Sequence, residues 1–408
     1  MQRRTILKSG GAMMLAGLTP LGAAFAQGQE IVLGGSVPMT GDSAETGLNL
    51  LRGYECAVKF INEEMGGVDV GGTRYTLRLD LFDDASDPSR GTTLIQRQVD
   101  EGVNFFLGSF PSRMVLPTAS ITEAAGRVMV QAGGAADDIF TQGRRRVFGL
   151  YPRASRQFIS PVNLFRSLEP SVERISILYT NSPYASAQAR GAEAAIREAG
   201  IELADLIELP TSVNDVTNVL SQIRASNPDV LICLTADETS ILIARQMVQT
   251  DTNVPLLFQS LGPQNAAYTD ALGSYAEGVT TLAAWSENVA YSGNYFGTAT
   301  EFANYYRANF DRQMTYHMAA GAACVCTIAE ALKTAGTVEI DPVTEALRNT
   351  DFECFYGHIR FTPEGDGDPD LMGTIVLQIQ NGERVVIAPD GAKNAEPVYP
   401  VPNWRDRT

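Results

Sequence analysis

Few side chains in this 408-residue sequence could carry out chemistry, and they are scattered along the chain. Histidine occurs only at His317 and His358, so a histidine-rich metal site is excluded and any histidine-based catalysis would rest on one of these two. The carboxylate pairs Asp83-Asp84 and Asp137-Asp138 are adjacent in sequence, which favours turn or capping roles over an acid/base pair. The sequence contains no G-x-S-x-G, Walker, G-x-G-x-x-G or H-E-x-x-H pattern. We therefore expect no catalytic site, metal or cofactor.

The first 26 residues are typical of an export signal. Arg3 and Arg4 precede an apolar pair and Lys8, an apolar run follows, and Ala24-Phe25-Ala26 provides a small-x-small cleavage site before Gln27. The paired arginines favour the twin-arginine route to the periplasm. An ordinary secretory signal stays open. A membrane anchor is disfavoured because a spanning helix needs about 20 apolar residues.

Charge and length narrow the class of protein further. The full chain has a formal net charge of −16 although its signal is basic, which argues against nucleic acid or anionic membrane as a partner. Its length favours two domains. After signal cleavage we expect no direct membrane insertion, because no other segment is judged long and apolar enough to cross a bilayer.

The five cysteines show no evident disulfide framework. Their odd number leaves at least one thiol free, and the spacing suggests no pairs, although the predicted compartment is oxidising. Cys324 and Cys326 fall on different sides of a predicted helix and make a poor metal pair. The remaining cysteines are Cys56, Cys233 and Cys354.

Strand and helix patterns alternate along the mature chain. Helices are predicted at 48–64, 88–101, 117–125, 185–199, 216–224 and 239–249, and again at 298–309, 316–334 and 342–347. Short apolar strands lie between the earlier helices, at 31–34, 75–82, 103–107, 128–131, 175–179, 203–208, 230–234 and 254–258. This alternation predicts two α/β units with parallel sheets covered on both faces. The segment 357–387 is strand-like, and the polar, proline-rich tail from Ala392 is expected on the surface.

Short motifs recur in a characteristic order and spacing. They are Gly34-Gly35-Ser36-Val37-Pro38-Met39 with Thr40-Gly41, Gly53, Ile61-Asn62, Gly66-Gly67, Asp83-Asp84, Asp87-Pro88, Gly108, Ser112, Gly133-Gly134, Tyr184, Ala276-Glu277-Gly278 and the stretch from Phe361 to Gly365. Together they resemble the extracytoplasmic solute-binding proteins of the leucine/isoleucine/valine-binding type, which are the receptors of branched-chain amino acid ABC importers. The resemblance covers the whole mature chain.

The resemblance implies two Rossmann-like lobes with parallel sheets, joined by three crossover strands near Tyr151, Leu282 and His358. This is the type I periplasmic-binding-protein fold. The first lobe would comprise 27–150 and 283–357, the second 151–282 and 358–390, and 391–408 would form a C-terminal tail. A small-molecule ligand would bind in the cleft at the carboxyl ends of the strands, and the receptor would meet the membrane permease subunits of the importer.

In the first lobe, the candidate ligand-binding residues follow two neighbouring strands. Phe110, Ser112 and Arg113 precede a helix, whose N-terminus attracts anions. The resemblance implies that Ser112 binds a ligand carboxylate through its hydroxyl and N–H, and the alternative is a plain N-cap. Gly133 and Gly134 would allow close backbone approach, and Ala135 replaces a threonine common in the family.

The second lobe departs from the family pattern. Tyr184 matches a tyrosine that packs over the ligand, or is a loop residue. Leu261 stands where amino-acid binders commonly have a glutamate, and Asp237 could replace that charge. Trp285 and Tyr316 could stack on an apolar ligand, and interdomain packing is equally compatible with both.

Two ligand classes therefore remain open. Asp237 favours an amino acid, whereas Leu261 and Ala135 favour an amide or an aliphatic or aromatic acid. A binding protein that reports its ligand to a regulator instead of feeding a transporter is an alternative of a different class. An enzyme is the least favoured.

Overall fold

The computed structural model describes residues 29–310, 314–390 and 392–407, so the predicted export signal lies outside it. The strands are β1 Gln29–Val37, β2 Val68–Val70, β3 Thr73–Asp83, β4 Phe105–Leu107, β5 Val128–Gln131, β6 Val147–Gly149, β7 Arg174–Thr180, β8 Glu202–Leu209, β9 Val230–Leu234, β10 Leu256–Gln259, β11 Thr280–Ala283, β12 Ser292–Gly293, β13 Gly297–Thr298, β14 Asp351–Cys354, β15 Gly357–Arg360, β16 Ile375–Gln380 and β17 Glu383–Ala388. The helices are α1 Ala44–Glu63, α2 Pro88–Asp100, α3 Ser112–Ala124, α4 Ile159–Ser167, α5 Pro183–Glu198, α6 Thr217–Ser226, α7 Asp237–Gln249, α8 Ala266–Leu272, α9 Ala299–Asn309, α10 Tyr316–Ala335 and α11 Ile340–Arg348.

The first lobe is built on a six-stranded sheet in the order β2-β3-β1-β4-β5-β6, parallel except at β2. Strands β4, β5 and β6 are buried on both faces because helices cover each side. Phe105 and Leu107 pack in the cluster that contains α1 and α10, whereas Phe106 between them packs against α2 and α3. This alternation is the period of two expected of a strand.

Two glycines allow α1 and α10 to approach closely. An ideal Cβ on Gly53 would lie 2.2 Å from the Met318 carbonyl oxygen, and one on Gly321 would lie 2.6 Å from the Leu50 carbonyl oxygen.

By length and composition α10 could span a membrane, which corrects the expectation that no such segment follows the signal. Within the fold 78% of its apolar stretch is buried, so α10 is a core helix of the first lobe.

The second lobe is built on a seven-stranded sheet in the order β17-β16-β11-β10-β9-β7-β8. The strands from β7 to β11 are parallel, and the two strands β16 and β17 add antiparallel neighbours at one edge. Helices α4 and α5 pack on one face and α6, α7 and α8 on the other. The predicted α/β fold with two lobes of largely parallel sheet is confirmed.

The segment that leaves β6 of the first lobe is hydrogen-bonded to the segment that precedes β16 of the second lobe. The Gly149 N–H donates to the Gly365 carbonyl over 2.8 Å, and Gly367 N–H donates to the Tyr151 carbonyl over 2.9 Å. The buried carboxylate of Asp366 accepts hydrogen bonds of 3.0–3.1 Å from the backbone and guanidinium of Arg153. The lobe boundary predicted at residue 358 falls inside the β14–β15 hairpin.

The C-terminal segment does more than run along the surface. Trp404 is only 2% exposed, and its indole Nε1 donates to the Thr252 carbonyl oxygen over 2.6 Å. Val401 is buried in the core that contains α4 and α5. Most of the tail lies on the surface, as expected, and these two apolar side chains anchor it to the second lobe.

Candidate functional site

A cleft between the two lobes holds the candidate site. It encloses about 500 Å³ of empty space, including its opening to solvent. Much of its wall comes from segments that follow strands in both sheets, as expected at the carboxyl edge of parallel sheets, and the start of α10 and Thr374 add the rest. The lining residues are Phe110, Pro111, Ser112, Ala132, Gly133, Ala135, Tyr151, Gln157, Tyr184, Leu261, Leu282, Ala284, Tyr316, His317 and Thr374.

Three helices begin at this cleft. The first turn of α3 contributes Ser112, that of α5 contributes Tyr184, and that of α10 contributes Tyr316 and His317. First-turn N–H groups lack intrahelical acceptors, and a helix N-terminus carries a partial positive charge. Of the residues that the structure describes, none with a carboxylate, ammonium or guanidinium group lines the cleft. The site can therefore attract an anion but offers no counterion for a cation.

The Ser112 hydroxyl is oriented by two backbone donors. Its Oγ accepts hydrogen bonds of 3.1 Å each from the N–H groups of Ala135 and Ala136, and the residue is 2% exposed. Both acceptor positions of the oxygen are then used, which leaves the hydroxyl proton to donate. Pro111 occupies the N-cap position, so Ser112 is the first helical residue and not the cap itself.

The glycine loop after β5 approaches the loop after β4 closely. An ideal Cβ on Gly133 would lie 1.7 Å from the Ser109 carbonyl oxygen, so this position requires glycine. Gly134 lies behind the cleft wall and does not line it. Its N–H donates to Gln131 Oε1 over 2.7 Å. Ala135 does line the cleft, with a methyl group in place of a hydroxyl.

Tyr184 contributes its ring, because its hydroxyl is already paired within the protein. The hydroxyl donates to Gln157 Oε1 over 3.0 Å and accepts from Gln188 Nε2 over 2.8 Å. Burial raises the pKa of Tyr184, so the phenol stays neutral. Neither glutamine belongs to a motif that is recognisable in the sequence, so neither was predicted.

The start of α10 places two rings in the cleft. Tyr316 packs edge-on against Tyr151 at a centroid distance of 5.9 Å, and His317 packs edge-on against Phe110 at 5.6 Å. His317 is 2% exposed, and burial lowers its pKa to about 3. His317 was not predicted as a ligand-binding residue, although its position at the start of a predicted helix was a signal for such a role.

Arg113 and Trp285 lie outside the cleft lining. The Arg113 guanidinium donates to Asp42 over 2.6 Å and to the Ser86 carbonyl over 2.7 Å, so it secures neighbouring loops. Trp285 is 2% exposed and donates from Nε1 to the Phe355 carbonyl over 2.9 Å. The tryptophan therefore packs in the protein core.

Asp237 also lies outside the cleft lining. Its carboxylate accepts hydrogen bonds from Asn265 Nδ2 over 3.1 Å and from Thr46 Oγ1 over 3.3 Å. Burial, followed by the nearby Glu45, raises the pKa of Asp237 to about 6. Both hydrogen bonds hold the carboxylate to groups that do not line the cleft either.

Comparison with known proteins agrees with this architecture. A family model described as "Periplasmic binding protein" matches residues 30–383. The chain is 27% identical over 244 residues to the Leu/Ile/Val-binding protein homolog 7 of Brucella melitensis biotype 1, an alignment that spans only 58% of either chain.

Two solved structures show the same fold. A leucine-binding protein LivK from Thermotoga maritima superposes with a TM-score of 0.76 at 20% identity, covering 88% of this chain and 98% of that one. A solute-binding protein of an ABC transporter from R. palustris, in complex with benzoate, superposes with a TM-score of 0.74 at 15% identity, covering 91% and 99%.

Proposed function

Since the chain belongs to the periplasmic binding protein family, we propose that it is an extracytoplasmic solute receptor that delivers its ligand to the membrane permease subunits of an ABC importer. The cleft between two sheets, joined by several crossing segments, suits capture of a small molecule by closure of the lobes. We assign the cleft no catalytic step: Ser112 Oγ accepts hydrogen bonds from two backbone N–H groups, and no described base is hydrogen-bonded to it.

The proposed ligand is a small aliphatic or aromatic carboxylic acid, or the corresponding amide, without an α-ammonium group. One observation carries this choice: three helix N-termini meet at a cleft whose described lining has no ionised side chain. A carboxylate gains from these N–H groups and dipoles. A buried ammonium would need a carboxylate or several acceptors, and an unpaired buried charge is costly.

The residues that depart from the family pattern support the same class. Leu261 lines the cleft with an apolar side chain, and Ala135 lines it with a methyl group. Phe110, Leu282 and the Tyr184 ring add further apolar surface for a hydrocarbon tail. The complex of a structurally similar protein with benzoate indicates that this fold can hold an acid without an ammonium.

Matched ligand pairs test the proposal. Leucine is compared with its deaminated analogue isocaproate, and phenylalanine with hydrocinnamate, together with the amides of both acids. Thermal shift identifies binders, because a ligand that binds only the native state raises the melting temperature, and calorimetry measures their affinities. We expect tighter binding of the acids or amides. Clearly tighter binding of the amino acids, abolished by Asp237→Asn, would instead establish an amino-acid receptor.

We also propose that the protein reaches the periplasm by the twin-arginine route, which carries proteins that are already folded. The paired Arg3 and Arg4 are the sequence support. All five cysteines are free and buried in the structure. A chain that folds before export encloses these thiols before it meets an oxidising compartment, where exposed thiols form disulfides.

A further inference from the structure

His317 is a buried polar side chain with no assigned role. It is the second residue of α10, it is 2% exposed, and it lines the cleft. Its Nδ1 atom is buried and has no hydrogen-bond partner among the described residues. A buried polar atom without a partner is unfavourable, so its retention calls for an explanation.

The surroundings of His317 explain why the imidazole is neutral. The neighbouring rings belong to Phe110 and Tyr316, and the first turn of α10 contains no acidic residue. Burial is the cause that lowers its pKa to about 3, and a helix N-terminus acts in the same direction. A neutral imidazole has one N–H donor and one acceptor nitrogen.

We propose that His317 is a specificity-determining residue of the cleft, whose neutral ring donates a hydrogen bond to the acceptor oxygen that a carboxylate and an amide share. The second donor is the Ser112 hydroxyl at the start of α3, whose oxygen already accepts two hydrogen bonds and whose proton is available to donate. Phe110 connects the two, since it lies two residues before Ser112 and its ring packs on His317 at 5.6 Å. Both donors therefore belong to one wall of the cleft.

This inference rests on the proposed function and makes it more specific. A ligand held by two donors must present an acceptor, whereas an ammonium presents only donors. The wall formed by Ser112 and His317 thus binds the acid or amide end of the ligand, and Leu261, Leu282 and the Tyr184 ring of the second lobe are left to contact its tail.

The test uses two substitutions of His317 and one matched control. His317→Leu removes both ring nitrogens, His317→Asn keeps a donor, and His358→Asn alters the other histidine, which lies outside the cleft lining. Affinities for isocaproate, hydrocinnamate and their amides are measured by calorimetry, and melting temperatures are measured without ligand. All variants are full-length protein.

Loss of a charge-assisted hydrogen bond is expected to weaken acid binding by roughly 10- to 100-fold in His317→Leu. Amide binding should weaken by about 2- to 10-fold, since that bond joins neutral groups. His317→Asn should recover part of the loss, and His358→Asn should bind like the parent protein. Without ligand, His317→Leu should melt at the same or a higher temperature, because the unpaired nitrogen is removed.

Different failures overturn different statements. If the parent protein binds a probe and His317→Leu binds it equally well, the role of His317 is wrong while the proposed function stands. If His317→Leu melts at a lower temperature and affinity is unchanged, the residue is structural. If the parent protein binds none of the acids and amides, the proposed ligand class is wrong, and the inference about His317 fails with it.

Discussion

Thr46 Oγ1 donates a hydrogen bond to the Asp237 carboxylate over 3.3 Å. Thr46 lies on α1 of the first lobe, and Asp237 is the first residue of α7 in the second. Asn265 holds the same carboxylate oxygen over 3.1 Å. The acid considered as an ammonium partner therefore joins the two lobes.

This contact predicts a pH-dependent closure. Burial first, and then the nearby Glu45, raise the pKa of Asp237 from 3.8 to about 6. The closed form, in which Asp237 contacts Thr46 of the first lobe, therefore binds a proton more tightly than an open form in which Asp237 is in water. Closure is thus disfavoured above the raised pKa and favoured as the pH falls through it. Affinity for isocaproamide, which does not titrate, should rise by about tenfold between pH 7.5 and pH 5, the equivalent of one pKa unit.

Calorimetry across this pH range checks the expectation, with Asp237→Asn as the comparison. The asparagine variant should bind isocaproamide with an affinity that does not change with pH. If it keeps the full pH profile of the parent protein, another group controls the effect.

Substitution of Ser112 should have two separable effects. Ser112→Ala removes a donor to the ligand, which should weaken acid binding by roughly 10- to 150-fold. It also leaves the N–H groups of Ala135 and Ala136 without their acceptor, at a cost of about 1–3 kcal/mol in unfolding free energy. Calorimetry and urea denaturation measure the two effects.

Ser109→Ala is the matched control for that substitution. Ser109 is buried and donates to Asp84 over 2.6 Å, but it does not line the cleft. It should lose stability and keep its affinity. Unchanged affinity in Ser112→Ala itself would restrict Ser112 to holding the loop after β5.

The ion pair between Arg153 and Asp366 should be essential for stability. The Asp366 side chain is 0% exposed, so Asp366→Asn would leave a largely buried guanidinium with only the more exposed carboxylate of Glu364 as its ion-pair partner. The expected loss of unfolding free energy is about 3–5 kcal/mol. Asp368→Asn, which affects a more exposed pair with Arg360, should cost less. Equal losses in urea denaturation would contradict this.

The export route can be tested at the signal. Changing Arg3 and Arg4 together to lysine should prevent the mature protein from reaching the periplasm, because lysine lacks the planar guanidinium geometry. Cell fractionation and immunoblotting give the result. Normal export of the double variant, combined with loss on inhibiting the general secretory route, would identify an ordinary signal.

The sequence predicted the long periodic elements well and the short ones poorly. The apolar face of α1 and the capping Asp87 before α2 are local signals, and both helices lie close to their predicted bounds. The predicted start of α3 was wrong. The helix was expected to begin at Pro117, since proline is common in a first turn, but it begins at Ser112 and Pro117 lies inside it. The three-residue strands β2 and β6 have too few residues for a recognisable period.

The site shows the same division. Ser112, Gly133 and Tyr184 closely follow strands, so they could be predicted to lie at the carboxyl edges of the parallel sheets, where ligands bind. Asp237 also follows a strand, but its direction depends on Thr46 and Asn265, which are distant in sequence. His317 enters the cleft from a helix that returns to the first lobe late in the chain, and only the tertiary fold reveals this.

The pairing of α1 with α10 has a consequence for biosynthesis. The first lobe needs α10, whose residues begin at Tyr316, to cover strands that begin at Gln29, so its contacts are far apart in sequence. The second sheet can instead assemble β7 to β10 from one continuous run. Such separation slows folding. The nascent chain therefore carries the uncovered apolar face of α1 through most of its synthesis, and a holding chaperone that recognises this face would protect it from aggregation.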